Sequence, residues 1–219
     1  MNLGKKILTN VFKNKGVISA TIVGSYTESK NLEKIGDIDV VVICNKLSKK
    51  LIKKLIKDVE RINELNLKKK IIVNSSFGPV KISSGKFLPV HLMIYDVNSH
   101  IDHVTLSPFT CYDWERSKLY KGIPLNQIYP VKNLQLSDFI KSRRSSNEYL
   151  KDLLKNKISI RKYTFGESKV KIKKQFIKLD PRNRGEFVYH IINFLIINLH
   201  KFIENKNIKI RNKVFDNLF

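Results

Sequence analysis

Apolar residues at Leu3, Ile7, Leu8, Val11 and Phe12 recur at helical spacing. Asn14-Lys15-Gly16 ends the helix they predict, with Gly16 open to a left-handed cap. The period then changes. Val17–Val23 reads as an apolar strand that Gly24-Ser25 leaves, Tyr26–Gly36 as a polar loop, and Asp37–Cys44 as a second strand. Alternation along that strand puts Ile38, Val40 and Val42 on one face, ready for burial. Asp37 and Asp39 share the other, about 7 Å apart along the chain. Ser48 is placed to cap a helix running toward Leu65, with Leu51, Ile52, Leu55, Ile56, Val59 and Ile62 as its stripe. Lys49, Lys50, Lys53, Lys54 and Lys57 fall around the remaining surface and read as a solvated face. Ile71–Val73 is a short strand. Phe77-Gly78-Pro79 and Ser83-Ser84-Gly85 are turns flanking a further strand at Val80–Ile82, and Phe87–Tyr95 is the third major strand.

The character changes after Asp96. Asp96–Leu106 reads as polar and irregular. Ser107-Pro108 starts a helix carried through Tyr120, and Lys121-Gly122-Ile123-Pro124 ends it. Ser137 is placed to cap a helix toward Leu154, Lys155–Gly166 carries no clear period, and Lys169–Leu179 fits helix or strand. Arg184 or Gly185 opens a long apolar helix to Ile203, and a basic tail, Asn205–Phe219, follows. The expected class is α+β. A mixed β-sheet core with helices occupies residues 1–106, and a mainly helical C-terminal domain occupies 107–219. The boundary is soft anywhere between Ser107 and Asn133.

Composition adds a partner class and removes others. The 219 residues hold 42 Lys+Arg against 19 Asp+Glu, a formal net charge of +23. That surplus suits RNA or nucleotide phosphates. The preference for Lys over Arg, with abundant Asn and Ile, also fits the coding bias of an AT-rich genome, so charge alone does not make an RNA binder. Cys44 and Cys111, the only cysteines, supply neither a disulfide framework nor a zinc site, and Cys44 reads as a small buried hydrophobe. Met1–Lys6 lacks the apolar run of a signal peptide. Asn193, Asn198 and His200 interrupt the most apolar segment, which reads as a buried helix and not a membrane span. The expected location is cytoplasmic, with no membrane partner.

Two carboxylates beside a small-residue turn are hard oxygen ligands suited to Mg²⁺ or Mn²⁺ carrying a nucleoside triphosphate. The pattern G-S-x11-D-x-D, carried by Gly24, Ser25, Asp37 and Asp39 between apolar strands, resembles the DNA polymerase β-like nucleotidyltransferase superfamily. The resemblance covers about the first hundred residues, and helix, strand, Gly-Ser, strand and helix come in that superfamily's order. It implies that Gly24 and Ser25 hold the β- and γ-phosphates, with glycine permitting close backbone approach. It further implies that Asp37 and Asp39 bind the metal and that pyrophosphate leaves after in-line attack.

Members with full activity usually carry a third carboxylate on a later strand. Here the aligned position is His91, a departure, since imidazole is a poorer Mg²⁺ ligand although it can act as a base. Asp96 is the nearest acid but lies out of phase with His91, and Asp102 is farther on. Lys118 is a further candidate for phosphate contact. Trp114, Tyr112 and Tyr120 are candidates to stack on a base, with helix packing the default, and Arg143-Arg144 read as exposed helix charges. Arg184 and His190 make an R-x5-H spacing similar to helical HEPN ribonucleases, but Gly185 replaces the usual polar neighbour, so helix packing is preferred.

The leading expectation is a metal-dependent nucleotidyltransferase. It would move an NMP from an NTP to a hydroxyl or phosphate acceptor on an RNA end, a protein or a small molecule, with Asp37, Asp39 and His91 as its catalytic residues. The alternative is a catalytically inactive relative of that fold serving as an RNA-binding or antitoxin-like module.

Overall fold

The structure is a computed structural model that describes residues 3–28, 36–62, 69–76, 86–166 and 170–204. Helix α1 (Leu3–Phe12) leads into β1 (Val17–Val23), a 3-10 turn over Gly24–Thr27, and β2 (Ile38–Cys44). Next come α2 (Lys49–Glu60), β3 (Lys70–Asn74), β4 (Phe87–Asp96), α3 (Val97–Leu106) and α4 (Pro108–Trp114). The remainder is β5 (Tyr120–Gly122), α5 (Leu125–Ile128), α6 (Leu136–Leu154), β6 (Lys157–Phe165), β7 (Val170–Lys178) and α7 (Arg184–Glu204). The chain is α+β, as its periodicities predict.

Five strands form one mixed sheet in the order β3-β4-β2-β1-β5. Strand β4 runs parallel to β2 and β3, whereas β1 runs antiparallel to β2 and β5. Alternation decides what covers each face. Ile38, Val40 and Val42, all fully buried, pack with Ile22, Leu92 and Ile94 against Ile7 and Val11 of α1 and Ile52, Leu55 and Val59 of α2. Val23, Val41, Ile43 and Tyr95 point the other way, toward Trp114, Leu125 and Ile128 and toward Tyr163 and Ile172 of the β6–β7 hairpin. The acids of β2 belong to this second face, so the later half of the chain covers the sheet beside them.

The helix ends follow their sequences. Ser48 Oγ accepts from the Leu51 backbone N–H at 3.1 Å, and the five lysines of α2 are exposed. Asn14 Nδ2 donates to Asp58 Oδ2 at 2.9 Å in the interior, tying the end of α1 to α2.

Several expectations change. Asp96–Leu106 is not irregular. Asp96 accepts from the Ser99 backbone N–H while Ser99 Oγ accepts from that of Asp96, a reciprocal cap that starts α3. The helix from Pro108 stops at Trp114 instead of reaching Tyr120. Tyr120–Gly122 instead adds an edge strand to β1, where Gly122 takes φ +83 and leaves no room for a Cβ against the Ile18 carbonyl. Gln135, not Ser137, caps α6, exchanging hydrogen bonds with Asp138. Strands β6 (Lys157–Phe165) and β7 (Val170–Lys178) form an antiparallel hairpin, settling the helix-or-strand ambiguity in favour of strand from Val170 onward. The expected strand at Val80–Ile82, its flanking turns, the end of the second helix toward Leu65 and the tail from Asn205 lie outside the described residues.

The hairpin is pinned to the sheet where β3 runs out. Tyr163 Oη accepts from the Ile94 backbone N–H and donates to the Ile94 carbonyl, both at 2.7 Å. One hydroxyl thereby satisfies both peptide groups of a buried residue, and burial holds that hydroxyl well above the ordinary tyrosine range. Tyr163→Phe strands both groups. It should lower stability by about 2 kcal/mol, read as a lower urea midpoint at unchanged slope.

Candidate active site

The site is a row across the sheet. Asp39 of β2 lies in register with Val23 of β1 on one side and His91 of β4 on the other, and His91 in turn pairs with Asn74 of β3. Paired positions in adjacent strands present their side chains to the same face, so Asp39, His91 and Asn74 line up. Asp37, two residues earlier, returns to that face just ahead of β2. His91 Nε2 stands 3.5 Å from Asp37 Oδ2, and ligand atoms of Asp37, Asp39 and His91 all lie within 4.8 Å of one another. Two partly buried carboxylates, with a buried imidazole beside them, stand close enough together for their oxygens to hold a divalent cation. Mg²⁺ accepts two carboxylates and fills its octahedron with water and phosphate oxygens, so the pair fits the ion.

The Gly24 turn closes the row at the end of β1. Gly24 has φ +74, a left-handed conformation, and a Cβ there would sit 2.7 Å from Asp39 Oδ2. Only glycine lets the backbone approach the carboxylate this closely. Ser25 follows, exposed, and Thr27 Oγ1 donates back to the Gly24 carbonyl at 2.7 Å. Tyr26, which sequence reasoning put in a polar loop, is buried and fixes the turn. Its hydroxyl accepts from the Gly4 backbone N–H at 2.9 Å, and a Cβ on Gly4 would meet the Tyr26 ring at 2.7 Å. The N-terminus of α1 is thus the seat of the Gly-Ser turn.

A second group absent from the sequence reading stands behind His91. Asn74 Nδ2 is 3.2 Å from His91 Nδ1. Asn74 Oδ1 meanwhile accepts from the Ser76 backbone N–H at 2.9 Å and from Ser76 Oγ at 2.7 Å. The signal in the sequence is an Asn-x-Ser at the end of an apolar strand, the composition of an Asx turn.

Other candidates fall elsewhere. Asp96 pairs in register with Cys44 at the far end of β4 and is committed to the α3 cap, so it is not the missing third acid. Asp102 is exposed on α3. Lys118 is not on a helix, as expected, but in the turn before β5. Its neighbours are tied to β1: Ser117 Oγ donates to the Ile22 carbonyl at 2.5 Å, and Ile22 N–H donates to the Leu119 carbonyl at 2.8 Å. Lys118 is therefore held, exposed, beside the strand end from which Gly24 departs. Trp114 stacks on His103 with ring centroids 5.1 Å apart and serves packing. Burial, assisted by Arg161 and His100, lowers His103 to about 3, and burial alone lowers His100 to about 4, so both stay neutral. Cys44 is buried and its thiol is pushed up to about 12 by burial and then by Asp96. Arg184 donates to Asn156, and His190 lies 3.4 Å from Glu186 on the same helix, which leaves that spacing to packing and surface pairing.

Residues 5–88 match the nucleotidyltransferase domain family. The match takes in Gly24, Ser25, Asp37 and Asp39 but ends before His91, and it agrees with the likeness to the DNA polymerase β-like superfamily seen in the sequence. No curated protein matches the chain, and no solved structure matches it. Among the described residues no helix is long and apolar enough to cross a membrane.

Proposed function

We propose that this protein transfers a nucleoside monophosphate from an NTP to a hydroxyl or phosphate acceptor. The observation that carries the reading is the approach of Gly24 to Asp39. It brings the Gly24-Ser25 backbone directly against one of two neighbouring carboxylates, which supports phosphate binding at that turn. Asp37 and Asp39 would hold a divalent cation, Mg²⁺ or Mn²⁺, which when bound neutralises triphosphate charge and aligns the α-phosphate. The Gly24-Ser25 turn holds the β- and γ-phosphates, and Lys118, exposed in the turn before β5, is the candidate to add its charge. The acceptor oxygen then bonds to the α-phosphorus, a hydroxyl acceptor giving up its proton to solvent, the bond from that phosphorus to the bridging oxygen breaks, and pyrophosphate leaves. His91 borders the reacting groups from β4.

The acceptor is the next question. Arg161, Lys162, Lys171, Lys173 and Lys174 are exposed on the β6–β7 hairpin, which packs on the same sheet face as the acids. That surface favours a polyanionic acceptor, an RNA end, over a small neutral molecule. Incubation with each α-labelled NTP, Mg²⁺ and a mixture of RNA and protein should release pyrophosphate and leave label on RNA. Chelation with EDTA should stop both. Label on no acceptor with any nucleotide would reject the transferase reading.

His91 in place of a carboxylate favours one second reading, a fold relative without catalysis that binds RNA. It predicts salt-sensitive RNA binding that survives Asp37→Asn and no Mg²⁺-dependent NTP binding.

A further inference from the structure

Hydrogen-bond polarity behind His91 decides what its imidazole can do, and it can be followed one atom at a time. The backbone N–H of Ser76 can only donate, so the Asn74 atom it meets at 2.9 Å is the amide oxygen. Ser76 Oγ donates to the same oxygen. The amide orientation is thereby settled without reference to His91. The Asn74 atom 3.2 Å from His91 Nδ1 is the amide nitrogen, which carries only hydrogens. A donor facing Nδ1 requires a lone pair there. In the neutral ring the proton then resides on Nε2, the nitrogen 3.5 Å from Asp37 Oδ2. Metal-binding histidines have the reverse arrangement: an acceptor holds the proton on one nitrogen and frees the lone pair of the other for the ion.

We propose that Ser76 and Asn74 are positioning residues that lock His91 as its Nε2–H tautomer. The imidazole then enters the site as a hydrogen-bond donor and leaves the cation to the oxygens of Asp37 and Asp39. The lock explains how a histidine stands at a position where a carboxylate is usual without turning a hard-cation site into one for softer metals. Imidazole as a ligand favours Zn²⁺, Co²⁺ or Ni²⁺ over Mg²⁺, whereas an Nε2–H repels any cation and attracts an oxygen. It also removes His91 as the group that takes a proton from the acceptor, since its site-facing nitrogen is already protonated. The metal consequence rests on the nucleotidyltransferase reading above, while the tautomer does not.

The test separates the two. In protein labelled with ¹⁵N-histidine, with His91→Gln to assign the signal among the five histidines, long-range ¹H–¹⁵N spectra report which ring nitrogen carries hydrogen. Wild type should show a pyridine-like Nδ1 and a pyrrole-like Nε2. Asn74→Asp replaces the donor with an acceptor and should put hydrogen on Nδ1, and Asn74→Ala, which leaves Asp37 facing Nε2, should admit a fraction of the Nδ1–H form. Zn²⁺ titrated without nucleotide should bind Asn74→Asp about 10–100-fold more tightly than wild type, the range by which such outer partners alter metal affinity, with Mg²⁺ affinity little changed. A wild-type ring protonated on Nδ1 overturns the proposal, and so does an Asn74→Asp spectrum identical to wild type. The expected tautomers with no metal binding in any variant uphold the lock and count against the nucleotidyltransferase reading instead.

Discussion

Asp39→Asn should lower nucleotide transfer at least about a thousandfold, equivalent to about 4 kcal/mol of transition-state stabilisation, and leave the protein folded. The change removes one formal charge and alters shape very little. Asp39 is flanked in register by Val23 and His91, so the strand pairings that place it do not depend on its charge. Its Oδ2 lies 2.7 Å from where a Cβ on Gly24 would sit, and no described acid is poised to replace it, because Asp96 is committed at the far end of β4. Asp37→Asn should behave alike, since its carboxylate is the other hard ligand of the cluster. The measurement is the initial rate of pyrophosphate release at saturating Mg²⁺, with a thermal melt as the check on folding. Retention of more than a tenth of wild-type rate in both variants would place the chemistry elsewhere.

Gly24→Ala should cost about a hundredfold in transfer with only a modest loss of stability. Two effects combine. A non-glycine residue at φ +74 pays about 1–2 kcal/mol for the left-handed backbone. The added methyl would also fall 2.7 Å from Asp39 Oδ2, so the carboxylate or the turn must move. The first effect is a stability loss and the second a misplaced ligand, and a control distinguishes them. Gly16 has φ +94 with open space around its Cβ position, so Gly16→Ala carries the same strain with no collision. Melting temperatures should fall comparably in the two variants, whereas only Gly24→Ala should lose transfer. Equal activity in both would mean that the close approach of Gly24 has no part in catalysis.

The N-terminal half was legible because its signals are local and redundant. The apolar runs Val17–Val23 and Ile38–Cys44 marked two strands, buried on both faces, and the D-x-D spacing brought both acids to the same face. His91 could be aligned because Phe87–Asp96 is a strong apolar strand whose phase is unambiguous. The failures have physical reasons too. The polar composition of Asp96–Leu106 hid a helix whose reciprocal Asp96–Ser99 cap outweighs a weak stripe. Tyr120–Gly122 is too short to carry a period and exists as a strand only because β1 offers it an edge. Lys-rich β6 and β7 alternate against a half-covered surface, where helix and strand patterns look alike. Tyr26 and Asn74 were missed because their roles depend on Gly4 and His91, 22 and 17 positions away, which no local window joins.

The row that builds the site runs from the interior of the sheet to its margin. Asp39 and His91 belong to strands with neighbours on both sides, but Asn74 is the last residue of β3, which among the described residues is the edge of the sheet. Backbone amides on β2 and β4 should therefore exchange with solvent only through large-scale opening, while those of β3 open locally at a smaller free energy. Excursions of β3 would withdraw Asn74 and Ser76 and release the Nδ1 side of His91, with the two carboxylates still in place. The charge of the site would then sit on slower-exchanging strands, and the proposed tautomer lock on a faster one.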